Sequence, residues 1–175
     1  MTSDHIHKDH DTILKGLQSA DAEKVIESLE ALRVEGSTSD IPILLEMLHL
    51  SQDKEIRSKI LSLFANLKDK DSIPLLIDAI QNERYVPELK ELVSCCWENG
   101  LDFSPYLTIF VDLLIKGDFL VAFEAYTVIT NMETPIDLAK IDREIEKLDM
   151  AMYGTTDEKK VLILDVIDFL PSIGN

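Results

Sequence analysis

The sequence predicts an all-α protein, an α-solenoid of about five antiparallel helix pairs, and three observations carry that expectation. Four prolines recur in similar settings, Asp40-Ile41-Pro42, Ser72-Ile73-Pro74, Phe103-Ser104-Pro105 and Glu133-Thr134-Pro135, at spacings of 32, 31 and 30 residues. Apolar residues on either side of each polar break fall at helical intervals, and no alternating run is long enough for a strand. Gly36, Gly100, Gly117 and Gly154 all fall at expected helix ends. A fixed period near 31 residues marks stacked helical hairpins, each of which buries its apolar face only against its neighbours.

The elements follow in chain order. Residues 1–8 read as a polar, partly ordered leader and 9–175 as a single repeat domain. Helices over 9–18 and 21–34 form the first pair, with Ile13, Leu14 and Leu17 facing Val25, Ile26, Leu29 and Leu32. Each later pair opens near a proline, which suits a first turn because its missing N–H needs no partner there. A Ser, Thr or Asp one or two residues before the proline is available as a capping oxygen. After Pro42, Leu44, Leu45 and Leu48 lead to the break Ser51-Gln52-Asp53 and then the stripe Ile56, Ile60, Leu61, Phe64 and Leu67. After Pro74, Leu75, Leu76 and Ile80 precede the break Gln81-Asn82 and then Leu89, Leu92, Val93 and Cys96. The Pro105 pair runs from Leu107 to Ile115 and, past Lys116-Gly117-Asp118, from Phe119 to Met132. The last pair covers 135–152, turns at Gly154, restarts at the capping box Thr155-Thr156-Asp157-Glu158 and ends at Pro171.

At 175 residues the chain is long enough for one domain with a substantial core. Acidic residues number 33 against 17 basic, a net charge of −16. With 11 basic against 19 acidic residues in 1–100 and 6 against 14 in 101–175, each part carries −8. That field repels phosphates, which argues against nucleic acid or an anionic membrane surface as partner. No apolar run approaches the ~20 residues of a membrane helix. The densest, Val161 to Leu170, is interrupted by Asp165 and Asp168. The start, MTSDHIHKDHD, lacks the apolar stretch of a secretory signal, and the two cysteines are adjacent, so a reduced, cytoplasmic protein is expected.

The stretch Asp53 to Leu67, DKEIRSKILSLFANL, resembles the second helix of a HEAT repeat, which often reads D-x-x-V-R-x-x-A-x-x-A-L. The following Lys68 to Ile80, KDKDSIPLLIDAI, is similar to that family's linker and next first helix, closest to the short HEAT-like repeats first described in phycobilisome lyases. Residues 41–80 match well, while the later repeats keep the proline and the period but lose the Asp and Arg. The resemblance implies a right-handed superhelix whose second helices line a concave binding surface. It also implies that Asp53 and Arg57 belong to a structural ladder of hydrogen bonds between repeats. The family holds adaptors, scaffolds, chromophore-lyase subunits and a few DNA-repair glycosylases, so fold does not choose among them.

Candidate chemistry is sparse. His5-Ile6-His7-Lys8-Asp9-His10 fits the metal signature H-x-H-x-D-H, but only four residues precede it and only His49 is left to complete a site. No metal site is therefore expected. Cys95 and Cys96 sit in an apolar stripe with no histidine near in sequence, and read as packing rather than as nucleophiles. Asp165 and Asp168 share one helix face as its wet side, and no phosphate-binding glycine loop or nucleophile elbow occurs. No enzyme and no cofactor are expected. The glycosylase reading needs a basic face that this chain does not offer.

Excess apolar surface is the more useful signal. In Phe119 to Met132, the stripe Phe119, Ala122, Phe123, Tyr126 and Ile129 is assigned to the core. A second stripe, Val121, Ala125, Val128 and Met132, is left for a neighbour or a partner. The final helix carries little polar cover, which points to docking near Leu162 and Phe169, with wrapping by 135–152 as the alternative. Trp97 and Tyr85 are aromatics that could anchor an interface on the concave wall. The expectation is a non-catalytic protein-binding module or scaffold. Its partner would be another protein with a basic patch, bound by the concave face, the apolar C-terminal end or both. The alternatives are a subunit of a HEAT-like enzyme of chromophore-lyase type, or a structural protein that self-assembles through its C-terminal helix.

Overall fold

The computed structural model describes residues 9–175, and every described element is helical apart from one isolated bridge. The leader 1–8 lies outside the described residues. By packing, the chain divides between Glu88 and Leu89 into two compact units.

The first unit contains α1 (His10–Leu17), α2 (Ala22–Glu35), α3 (Ile41–Leu50), α4 (Lys54–Ala65) and α5 (Ser72–Gln81), followed by a 3₁₀ segment, Glu83–Glu88. Sequence neighbours pair, α1 with α2 and α3 with α4, while alternate helices also meet, α2 on α4 and α3 on α5. The stripes expected of an amphipathic helix do the packing, with Ile13, Leu29, Leu48, Ile60, Phe64 and Leu76 almost wholly buried. Capping differs from expectation. The second helices start at aspartates that accept backbone N–H groups, Asp21 from Glu23 and Asp53 from Glu55 and Ile56. The first helices α3 and α5 start at Asp40 and Asp71, whose side chains cap nothing in those helices. Asp40 is turned backward instead and accepts the Ser37 N–H at 2.8 Å.

Asp40 also accepts a hydrogen bond from His10 Nε2 at 2.9 Å, which fastens the start of α1 to the start of α3. That bond, helped by the carboxylate's charge, raises the His10 pKa above 6.5. A histidine raised by folding contributes its stability fully below the ordinary value and loses it as pH climbs through the raised one. The wild-type chain should therefore exceed His10→Gln in urea midpoint at about pH 5.5, with the difference fading by about pH 8.5.

The second unit contains α6 (Leu89–Glu98), α7 (Leu107–Lys116), α8 (Phe119–Thr130), α9 (Leu138–Ala151) and α10 (Asp157–Phe169). Here α6, α8 and α10 pack in series, with α7 behind α8 and α9 against both α7 and α10. Gly100 follows α6 at φ +69°, the left-handed region that glycine enters without strain. Asp118 caps α8 by accepting the Val121 N–H at 2.9 Å. Phe103 and Phe110 meet edge to face at 5.8 Å in the core.

Two local expectations are corrected in this unit. The expected helix start at Pro135 is extended chain, and α9 begins at Leu138, capped by Asp137. The reason lies in residues 173–175. Ile136 N–H donates to Ile173 O at 2.8 Å and Asn175 N–H donates to Ile136 O at 2.9 Å, which satisfies this backbone outside any helix. Gly174 permits the approach, since a Cβ there would lie 2.5 Å from Leu138 Cδ2. The expected capping box does not close either, because Thr156 rather than Thr155 takes the N-cap and its side chain makes no capping bond.

Lys159 on α10 is only 8% exposed, and burial holds its pKa below the usual lysine value. Its ammonium donates to the carbonyls of Ile115 at 2.6 Å and Gly117 at 2.9 Å, at the end of α7. A cation there offsets the partial negative charge of the helix terminus as well as pairing its last carbonyls. Replacing Lys159 by Met keeps the stem and strands those carbonyls. We expect a loss of about 2 kcal/mol in urea unfolding of the second unit.

Candidate partner-binding surface

On α8, three neighbours decide which residues are left over. With α6 on one side, α10 on the other and α7 behind, the helix buries Val121, Ala122, Ala125, Val128 and Ile129, and Met132 just beyond it. The opposite edge faces solvent, with Phe119 and Phe123 each 45% exposed and Leu120 58% exposed. The stripe assigned to the core is split, with Ala122 and Ile129 buried as assigned but Phe119 and Phe123 at the surface. Val121, Ala125 and Val128, left for a neighbour or a partner, are taken by neighbouring helices and are not partner-binding residues. Ala122 and Ala125 give the physical reason. Small side chains let neighbouring helices approach closely, so the alanine-bearing arc is the packed one.

The docking expectation for the last helix is corrected as well. Leu162 is 8% exposed and packs inward with Ile163 and Val166, so it is not a docking residue. Phe169 is half-buried at the end of the helix. The exposed edge of α10 carries Val161, Leu164, Asp165 and Asp168, at i, i+3, i+4 and i+7.

Trp97, on α6, remains available at 39% exposure, and its indole N–H donates to Glu124 on α8 at 2.8 Å. Phe119, Phe123 and Tyr126 continue along α8 with ring centroids 6.4 and 6.2 Å apart, within the range of favourable aromatic pairing. A hollow of about 530 Å³ adjoins Phe119, lined also by Met150, Thr156 and Lys159. Phe119, Leu120, Phe123, Val161 and Leu164 are the residues that sequence reasoning missed. The alanines of α8 were the available signal.

Tyr85 is corrected outright. It is buried in the 3₁₀ segment of the first unit, where its hydroxyl donates to Glu46 at 2.6 Å and its ring stands edge-on to His49 at 5.8 Å. The segment is anchored further by Glu88, which is nearly buried and meets His49 Nδ1 at 3.0 Å and Arg57 at 3.6 Å. Arg57 also donates to the Leu48 carbonyl. Asp53 and Arg57 therefore reach different partners, Asp53 its own helix start and Arg57 both the end of α3 and Glu88.

Other candidate chemistry is quickly placed. Of the histidine string, His5 and His7 lie outside the described residues, and His10 is bound to Asp40. Among the described residues no group of three His, Cys, Asp or Glu side chains is arranged to hold a metal ion, and no helix is long and apolar enough to cross a membrane. Cys95 and Cys96 are both buried. Burial, with the carboxylates of Glu98 and Glu91 adding to it, pushes the Cys95 thiol up to about 12, and burial raises Cys96 well above the ordinary thiol value. Such thiols hold almost no thiolate at neutral pH.

No family model matches the chain, and no curated protein matches its sequence. Among solved structures the chain is similar to the crystal structure of an engineered protein, at 17% identity and a TM-score of 0.45 over 94% of this chain and 80% of that one. A likeness this weak leaves function to the residues themselves.

The buried thiols give a direct check. A thiol-reactive chromogenic disulfide should leave both cysteines unmodified in the folded chain at neutral pH and titrate both once the chain is unfolded in denaturant.

Proposed function

We propose that the chain is a HEAT-like, right-handed solenoid that works as a non-catalytic, cytoplasmic protein-binding module. Its partner, a protein with a basic patch, is held by the exposed edge of α8 together with α10. One observation carries this reading: Phe119, Leu120 and Phe123 stand exposed in a row, beside an exposed Trp97, on a chain of net charge −16. Exposed aromatics at the centre of a patch are the usual anchors of protein interfaces. The solenoid reading is supported by the meeting of alternate helices within each unit, α2 on α4, α3 on α5, α6 on α8 and α7 on α9. The chromophore-lyase alternative draws no support from Cys95 or Cys96, because a nucleophilic thiol needs a lowered pKa. Self-assembly through α10 would rest on Val161 and Leu164, since Leu162 is buried.

The test compares the native chain with Phe119→Asp/Phe123→Asp as bait at low salt. Because both rings are 45% exposed, the double variant should keep its helical circular dichroism, whereas truncating a fully buried ring such as Phe110 costs about 3–5 kcal/mol. A stoichiometric partner, captured by the native chain and lost by the folded variant, is the expected outcome. A partner held equally by both, or no partner with oligomers of this chain instead, overturns the reading.

A further inference from the structure

We infer that the α8–α10 face takes an amphipathic helix whose apolar side is bordered by lysine or arginine, an inference that rests on the protein-binding reading above. The surface offers side chains and no backbone. Its backbone groups are satisfied inside helices, so a partner cannot add a strand to it and must gain affinity by burying apolar side chains. A helix presents such side chains as a continuous stripe. Three helices packed about 8–10 Å apart give a face about 20 Å wide, the length of roughly 13 helical residues.

Charge selects the sequence of that helix. Asp165 and Asp168 border Leu164 on the exposed edge of α10, and neither has an ion-pair partner among the described residues. Glu124 stands at Trp97, and Glu91 and Glu98 lie on α6. The cations of these helices are largely committed elsewhere. Lys159 is turned to the α7 carbonyls, Lys160 pairs with Asp157 at 2.9 Å, and only Lys90 remains, two turns from Trp97 along α6. An apolar strip edged by carboxylates attracts a cationic border and repels an anionic one. It also disfavours a second copy of this chain, because a two-fold contact would bring together two faces edged by the same carboxylates with almost no free cation on either among the described residues. Anionic lipid and nucleic acid meet the same repulsion.

Trp97 is the chain's only tryptophan and stands beside this face, so its emission reports occupancy. The full chain is titrated with three tryptophan-free synthetic peptides of about 18 residues, about five helical turns. One places leucine on one helical face and lysine beside it, one replaces the lysines by glutamate, and one scrambles the leucine-lysine order so that no face forms. The first should shift Trp97 emission to the blue in a saturable manner and weaken severalfold as salt is raised, with the other two silent. Asp165→Asn/Asp168→Asn should weaken it severalfold and flatten the salt dependence, and Phe123→Asp should abolish it. Equal binding of the glutamate or scrambled peptide, indifference to either variant, or no binding of the lysine peptide overturns the inference. If a partner is captured through Phe119 and Phe123 while the lysine peptide does not bind, this inference alone falls. If the peptide binds as described while no protein partner is captured, the failure belongs to the protein-binding reading.

Discussion

The burial of α8 on three sides is the constraint from which the second unit takes its form. A helix lying between α6 and α10 and backed by α7 must present apolar or small side chains over most of its circumference. It does so with Val121, Ala122, Ala125, Val128 and Ile129, and its aspartate cap at Asp118 places the first turn so that Val121 already points inward. What α8 cannot bury is a narrow edge, and that edge is aromatic. In an ordinary amphipathic helix the residual edge is charged. Here Glu124 is the helix's only ionisable carboxylate, and it is engaged by Trp97 of the neighbouring helix.

A second device recurs across both units: polar side chains brought from a distance to finish a neighbouring helix. Lys159 closes the end of α7, Arg57 reaches the last turn of α3, and Lys140 donates to Pro105 O at 2.9 Å before α7 begins. Lys147 ties α9 to α7 through Asp112 at 2.9 Å. Each of these contacts spans two elements, so helix ends that would otherwise rely on water are satisfied only when the packing is correct.

Much of the architecture could be read from the chain. Helical spacing located all ten described helices to within a few residues, because each keeps an apolar stripe that a core must accept. The prolines marked the starts of α3 and α5, and the polar breaks ending at Asp53 and Asp118 preceded α4 and α8. The misreadings share one cause, which is information held far away in sequence. Pro135 looked like a helix start because nothing near it reveals the pairing of Ile136 with Ile173 and Asn175. Phe119 and Phe123 on α8 and Leu162 on α10 were misplaced because a helix apolar on most sides has little periodicity to orient it, and its neighbours choose which side is buried. Tyr85 looked like a surface aromatic because Glu46 and His49, which enclose it, lie more than thirty residues earlier.

The pairing of Ile136 with the residues around Gly174 ties the beginning of α9 to the end of α10. The intervening hairpin is therefore closed into a loop by these bonds. Opening of α10 from its last turn therefore works against the Ile136 hydrogen bonds as well as the helix's own. For a surface that displays Val161 and Leu164 on α10, this closure helps to hold the register of that helix against α9.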